Sequence, residues 1–165
     1  MAKLILIAGI SRSGKTTLAK QLAHDLPEAI VLHQDKYVLD ESLIPMIRDR
    51  TDWESPESVD WTRLHNDYNR LKNEYAFIII EGIFGLTDPR LLDASNFKIL
   101  LDLDRGEYIR RRKLERRWGN EPKWFIDHVW ESHEVFHNPS NTHLDWELSN
   151  PSSADYSEIL NQLKS

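Results

Sequence analysis

Residues Gly9-Ile10-Ser11-Arg12-Ser13-Gly14-Lys15-Thr16 match the pattern G-x-x-x-x-G-K-[ST], and this stretch decides the fold. Its glycines let the backbone wrap closely, so that successive N–H groups can point at phosphate oxygens. The helix expected after the loop presents its positive end to the same anion. In this pattern Lys15 bridges the β- and γ-phosphates, and Thr16 supplies a hydroxyl to Mg²⁺. The stretch therefore predicts a phosphate-binding loop.

The segments on either side of the loop supply the context that this pattern requires. An apolar run over 3–8 precedes it, and Leu18, Leu22 and Leu26 follow it on one face of a helix predicted over 15–26. This context argues against a chance Gly-rich turn. Further strands are predicted over 29–33, 77–80 and 97–103, and further helices from Pro56 to about Tyr75, over about 105–117, after Pro122 and after Ser153.

The order of these segments indicates the fold class. Strands that alternate with helices predict βαβ units and a parallel sheet covered on both faces, with ligands at the carboxyl ends of the strands. We expect an α/β chain with the three-layer α/β/α P-loop NTPase fold, in one domain over 1–165 with a short helical lid at about 105–125. Four motif residues lie at or just past predicted strand ends, as an active site on this architecture requires: Gly9, Asp35, Glu81 and Asp102.

Composition narrows the function classes. The net charge of -6 disfavours a duplex-DNA binder, and no apolar run has the length of a membrane span. The sequence has no cysteine, which excludes disulfides and thiolate chemistry and agrees with a cytoplasmic protein. Seven cations crowd one stretch of this acidic chain, a cluster that suits a compact polyanion such as a nucleoside triphosphate: Arg105, Arg110, Arg111, Arg112, Lys113, Arg116 and Arg117.

Several separated motifs carry a family resemblance. Beyond Ser13 to Lys20 they are His33-Gln34-Asp35, Trp53-Glu54-Ser55-Pro56, Ile78-Ile79-Ile80-Glu81-Gly82, Arg110-Arg111-Arg112 and Phe125-Ile126-Asp127-His128-Val129-Trp130. Together they resemble the uridine kinase and nicotinamide riboside kinase family of P-loop kinases, from Gly9 to about Trp130. The family usually has Asp where this chain has Glu54, so the carboxylate is kept but reaches one methylene further.

The resemblance implies a reaction and roles for named residues. It implies transfer of the γ-phosphate of ATP, with Mg²⁺, to a hydroxyl of a nucleoside such as uridine or nicotinamide riboside. Asp35 would hold that hydroxyl and accept its proton, and Glu81 would join Thr16 in holding Mg²⁺. Lys15 would act with Arg112 and Arg116, which lie four apart on one helix face, to clamp the transferring phosphoryl group. The residues expected to hold the nucleotide are Gly9, Ser11, Arg12, Ser13, Gly14, Lys15, Thr16 and Thr17.

The acceptor would contact three further side chains. Glu54 would accept hydrogen bonds from the two ribose hydroxyls, and Trp53 and Tyr37 would stack on a flat base. The structural alternatives are a charge at a helix N-terminus for Glu54 and packing under the lid for the two aromatics. For Asp35 the alternative is a turn-forming residue after a strand, and for the lid cations it is a solvated basic helix.

Other functions stay open at this point. The acceptor of a P-loop kinase could be a non-nucleoside alcohol, such as a sugar or a pantothenate-like compound. A nucleotide-dependent switch without catalysis is a second alternative. The third is a zinc hydrolase, because His133-Glu134-Val135-Phe136-His137 matches H-E-x-x-H. We expect a small-molecule partner, no nucleic acid or membrane, and a monomer or small homo-oligomer.

Overall fold

The computed structural model describes residues 1–115, 119–137 and 142–165. The amino-terminal half contains β1 (Lys3–Gly9), α1 (Lys15–Asp25), β2 (Ala29–His33), β3 (Met46–Ile47), β4 (Arg50–Thr51) and α2 (Trp61–Leu71). The carboxyl-terminal half contains β5 (Phe77–Glu81), α3 (Pro89–Ala94), β6 (Phe97–Asp102), α4 (Arg105–Leu114), α5 (Lys123–Phe136), β7 (Trp146–Ser149) and α6 (Ser153–Lys164).

The central sheet has five parallel strands in the order β2-β5-β1-β6-β7. Strand β1 lies in the middle and pairs with β5 on one side and β6 on the other, so both of its edges are hydrogen-bonded. Because side chains alternate along a strand, Leu4 and Leu6 pack on one face of the sheet and Ile5 and Ile7 on the other. The predicted parallel α/β sheet is confirmed.

Helices cover both faces of this sheet. The face of Leu4 and Leu6 packs against Leu64 of α2 and Leu91 of α3. The opposite face packs against the apolar stripe of α1 and against the carboxyl-terminal helix, through Leu18, Leu22, Ile159 and Leu163. These are the three layers predicted from the alternation of strands and helices. No helix in the described parts of the chain combines the length and apolarity needed to cross a bilayer.

The helix predicted from Pro56 begins later than expected. Residues Pro56–Ser58 form one 3₁₀ turn that the Ser55 side chain caps, and α2 begins only at Trp61. The carboxylate of Asp60 accepts a hydrogen bond from the Arg63 N–H at 3.0 Å and so fixes that start. Pro56, predicted to begin the helix, opens the preceding turn instead.

Three elements were not predicted from the sequence. Helix α3 begins after Asp88, whose carboxylate caps the Leu91 N–H, with Pro89 in its first turn. The hairpin of β3 and β4 has two residues in each strand, too few to show a period. Strand β7 pairs in parallel with β6 at the edge of the sheet. The basic helix, expected over 105–117, ends at Leu114 in the structure.

Candidate active site

The phosphate loop joins the end of β1 to the start of α1, and its two glycines meet different constraints. A Cβ on Gly9 would lie 2.3 Å from the Leu101 carbonyl oxygen, so only glycine fits beside β6. Gly14 has φ 96°, a left-handed conformation that L side chains rarely adopt. The N-cap residue of α1 is Gly14, which has no side chain to cap the helix. Its first N–H groups are therefore available to an anion.

Lys15 lies at the base of this loop and is only 9% exposed. Its Nζ donates a hydrogen bond to the Ile10 carbonyl oxygen at 2.9 Å, across the loop. Burial lowers the pKa of the Lys15 ammonium to about 8, and the carboxylates of Glu81, Glu54 and Asp35 partly oppose that shift. A cation held out of water in this way favours an anionic ligand, because a phosphate would replace the stabilisation by water that burial removed.

Glu81 ends β5 beside the loop and is buried, with 4% exposure. Its Oε1 accepts a hydrogen bond from the Thr16 hydroxyl at 3.0 Å and another from His33 Nδ1 at 2.7 Å. A hydroxyl and a carboxylate are hard oxygen donors of the kind that Mg²⁺ prefers. The two residues predicted to hold the metal are thus in direct contact.

Asp35 lies on the 3₁₀ turn Gln34–Lys36, directly after β2, and its side chain is exposed. It is close enough to Lys15 for its carboxylate to raise the pKa of that ammonium. Gln34, beside it, is buried and its Oε1 accepts a hydrogen bond from the Phe84 N–H at 2.8 Å. This contact ties the turn that carries Asp35 to the loop after β5.

Glu54 follows the short hairpin and faces the same site. Removal from water raises the pKa of its carboxyl to about 7, and the positive charge of Arg112 opposes that rise. Asp52 pushes the pKa further up, and its own carboxylate contacts His128 Nε2 at 2.9 Å. This last contact joins the segment that carries Glu54 to α5.

Helix α4 brings Arg112 to the phosphate loop. The Arg112 guanidinium donates to Ser11 Oγ at 3.0 Å and makes two hydrogen bonds to the Glu121 carboxylate, at 2.7 and 2.8 Å. The side chains of Arg112 and Glu121 are 9% and 10% exposed, so this is a nearly buried, bidentate pair. Arg116, the second predicted clamp, lies outside the described residues.

The rest of the loop also contacts α4 and the residue that follows it. Arg12 has φ 72° and pairs with Glu115 at 2.5 Å, and its carbonyl oxygen accepts from Arg111 at 2.9 Å. Ser13 Oγ is buried and has no hydrogen-bond partner among the described residues. Thr17 is exposed in the first turn of α1. The predicted nucleotide contacts therefore form one continuous stretch that runs from the end of β1 through the loop into the first turn of α1.

The two predicted stacking residues differ in position. Trp53 is 38% exposed, as a residue available to a ligand must be. Tyr37 is 8% exposed and belongs to the core, and its hydroxyl donates to Asp67 at 2.8 Å. In this structure Tyr37 therefore fits the packing alternative, and its ring is not available for stacking on a base.

The H-E-x-x-H stretch lies on α5, with both histidines buried. Their rings contact each other through Nδ1, and His133 Nε2 lies 3.2 Å from Asp102. Burial lowers the pKa of both imidazoles. Glu134 is exposed, and among the described residues no three His, Cys, Asp or Glu side chains are grouped so that they could hold a metal ion. The structure gives the zinc hydrolase alternative no support.

Comparison with known proteins decides the family. A uridine kinase from Pectobacterium carotovorum subsp. carotovorum is 30% identical, over 79% of this chain and 75% of the relative. A uridine kinase from Clostridium botulinum (strain Okra / Type B1) is 32% identical over 67% of each chain. The chain belongs to the uridine kinase family. A uridine kinase from Deinococcus deserti, 28% identical, covers 84% of this chain and 83% of its own.

Membership in this family makes the chain a phosphotransferase that acts on a hydroxyl group, with a P-loop for nucleotide binding. No protein-family model matches it.

Solved structures agree on the fold. A sugar kinase from Janibacter sp. HTCC2649 superposes with a TM-score of 0.65 at 18% identity, covering 99% of this chain and 95% of its own. A shikimate kinase from Bacteroides thetaiotaomicron gives 0.60 at 15% identity, covering 98% and 96%. At these identities the likeness concerns the fold alone. It confirms the three-layer α/β/α fold of P-loop kinases.

Sequence reasoning gave no role to several residues that this family member places in the site. His33 contacts Glu81, Glu121 holds Arg112, and His128 contacts Asp52. His33 could have been found from the sequence, because it ends one predicted strand and Glu81 ends another. Glu121 gave no such signal, since its contact depends on how the chain turns between α4 and α5.

Proposed function

We propose that this chain is an ATP-dependent kinase that uses Mg²⁺ to transfer the γ-phosphate to a ribose hydroxyl of a nucleoside, uridine-like or nicotinamide riboside-like. One observation carries the proposal: the carboxylates of Glu81, Glu54 and Asp35 come from three separate segments and all act on the Lys15 ammonium. A phosphate loop that only binds a nucleotide needs neither Glu54 nor Asp35. Carboxylates on the side of the loop where an acceptor would enter are what a transfer reaction requires.

The donor side of the proposal rests on the loop and β5. Backbone N–H groups and Lys15 would hold the β- and γ-phosphates, and Thr16 and Glu81 would hold Mg²⁺. The metal would neutralise charge that develops on the phosphate oxygens. Arg112, already in contact with Ser11, would add a guanidinium on the side of the lid.

The acceptor side rests on residues 35–54. Asp35 would accept the proton of the attacking hydroxyl, and its exposed position leaves room for that hydroxyl. Glu54 would accept hydrogen bonds from two neighbouring ribose hydroxyls, and Trp53 would offer its exposed ring to the base. A carboxylate for a diol and an exposed aromatic ring for a flat base favour a nucleoside over a simple sugar, because a simple sugar offers only the diol.

The test is ADP release with ATP and Mg²⁺ across a panel of acceptors. The panel contains uridine, cytidine, adenosine, nicotinamide riboside, ribose and pantothenate. We expect one or more nucleosides to give at least tenfold more turnover than ribose or pantothenate. Turnover confined to ribose or pantothenate would establish the non-nucleoside alternative. ATP binding without turnover on any acceptor would contradict the proposal and favour a nucleotide-dependent switch.

A further inference from the structure

The hydrogen bonds to Glu81 are distributed unevenly between its two oxygens. Both the Thr16 hydroxyl and His33 Nδ1 donate to Oε1. No hydrogen bond between described residues uses Oε2. One oxygen of this buried carboxylate is therefore anchored twice, and the other is left for a further ligand.

His33 reaches Glu81 because of strand register. Strands β2 and β5 are parallel neighbours, and His33 is paired with Glu81 at their carboxyl ends. The His33 side chain is 18% exposed and the Glu81 side chain 5%. A carboxylate oxygen only accepts hydrogen bonds, so the proton of this contact lies on His33 Nδ1. The contact thereby fixes the tautomer of the imidazole as well as the plane of the carboxylate.

This arrangement bears on metal affinity. Carboxylates that hold a metal, directly or through water, are themselves hydrogen-bonded, and losing such a partner typically weakens metal binding about 10- to 100-fold. Thr16 holds Glu81 from within the phosphate loop, where its hydroxyl oxygen is also expected to bind the cation. His33 is the other donor that the structure shows on Glu81, and it lies outside the phosphate loop.

We propose that His33 is a positioning residue that sets the affinity of the nucleotide-bound enzyme for its divalent cation by holding Glu81 Oε1. The inference rests on the proposed function, which gives Glu81 its role toward the cation. His33 touches neither the nucleotide nor the acceptor in this account. Its removal should therefore affect the cation and leave both substrates largely unaffected.

The test measures binding of Mn²⁺, a paramagnetic substitute for Mg²⁺, to the enzyme–ADP complex by electron paramagnetic resonance. We compare the wild type with His33→Ala, which removes the donor, and with His33→Asn, whose side-chain amide can donate from a position close to Nδ1. We expect the Kd for Mn²⁺ to rise about tenfold in His33→Ala and to stay within about twofold in His33→Asn. ADP affinity without the cation should be the same in all three, and thermal melting checks that each is folded.

The outcomes separate this inference from the function beneath it. If the wild-type complex binds Mn²⁺ and His33→Ala binds it equally well, the positioning role is wrong and the kinase proposal stands. The same holds if His33→Asn is as weak as His33→Ala. If the wild-type ADP complex binds no Mn²⁺, Thr16 and Glu81 do not form a cation site, and both proposals are wrong.

Discussion

The strand that leads into the phosphate loop and the segment that faces the acceptor are held by different forces. Strand β1 is buried from Leu4 to Gly9 and hydrogen-bonded along both edges. Residues 36–60 instead form short turns and a hairpin with two residues per strand. The two ends of that segment are anchored in the core by Tyr37 and Val59, and the part between them is attached through polar contacts such as His128 to Asp52 and through the Arg48 guanidinium, 4.3 Å from the Trp124 ring centroid.

This difference separates the part of the site that would carry out phosphate transfer from the part that would select the acceptor. The core fixes the donor side, so changes there affect the reaction itself or the whole fold. The acceptor side depends on contacts outside the sheet, of which an exposed one contributes about 1 kcal/mol or less, so it can change without unfolding the sheet. We therefore expect substitutions in the two regions to differ in kind.

Lys15→Met should produce the largest effect. Without the ammonium, ATP-dependent turnover should fall at least about 10³-fold, because the charge that stabilises the transferring phosphate is gone. The same change should raise the Tm of the nucleotide-free protein by about 2–4 °C, since burial disfavours the Lys15 charge. ADP release and thermal melting measure the two effects. Lys20→Met, on the exposed side of α1, is the control and should change neither.

Asp35→Asn should reduce kcat by about 10²- to 10⁴-fold and leave the KM for ATP within about twofold. The amide keeps the shape of the side chain but cannot accept the proton of the acceptor hydroxyl. Steady-state kinetics with the best acceptor give both values, and Asp49→Asn, exposed in the hairpin, is the matched control. Full activity in Asp35→Asn would show that another group is the base.

Glu54→Gln should raise the KM of the acceptor about tenfold at pH 8 and leave the KM for ATP unchanged. The pKa of Glu54 lies near 7, so the wild-type carboxylate is ionised at pH 8 and largely protonated at pH 6. The difference between the two enzymes should therefore shrink as the pH falls to 6. Kinetics at both pH values test this, with Glu57→Gln as the control. A difference of equal size at pH 6 would contradict the role of the ionised carboxylate.

The same group predicts a pH-dependent stability. The folded-state pKa of Glu54 is raised above its ordinary value of 4.5, so folding favours the protonated form and its contribution is lost as the pH rises from about 4.5 to 7. Glu54→Gln should then be more stable than the wild type at pH 8 and equal to it near pH 4. Urea unfolding at the two pH values measures this difference. Equal stability at both would mean that burial does not disfavour this charge.

Arg48→Gln should produce the smallest effect. Loss of its contact with Trp124 should lower stability by about 0.5–1 kcal/mol and raise the acceptor KM a few-fold, with no change in the KM for ATP. Thermal melting and kinetics measure these effects, and Lys164→Gln at the end of α6 is the control. A change in the KM for ATP as large as that for the acceptor would break the separation between the two regions.

The same contrast explains what could be predicted from the sequence. The loop, β1 and β5 were predicted because a local pattern and a buried apolar run each determine their own structure. Glu121 and His128 were not, because their contacts join segments that are distant in the chain or connected by a turn of unknown geometry. Tyr37 was predicted to face the acceptor, but α2 covers it and Asp67 binds its hydroxyl, which no local pattern shows.

The most direct measurement follows the phosphate itself. ATP labelled with ³²P at the γ-position is incubated with the enzyme, Mg²⁺ and the best nucleoside of the panel, and the products are separated. The account predicts that the label appears in a nucleoside monophosphate at the rate of ADP release, and that Asp35→Asn forms this product about 10²- to 10⁴-fold more slowly while still binding ATP. Label that appears only as inorganic phosphate would contradict it.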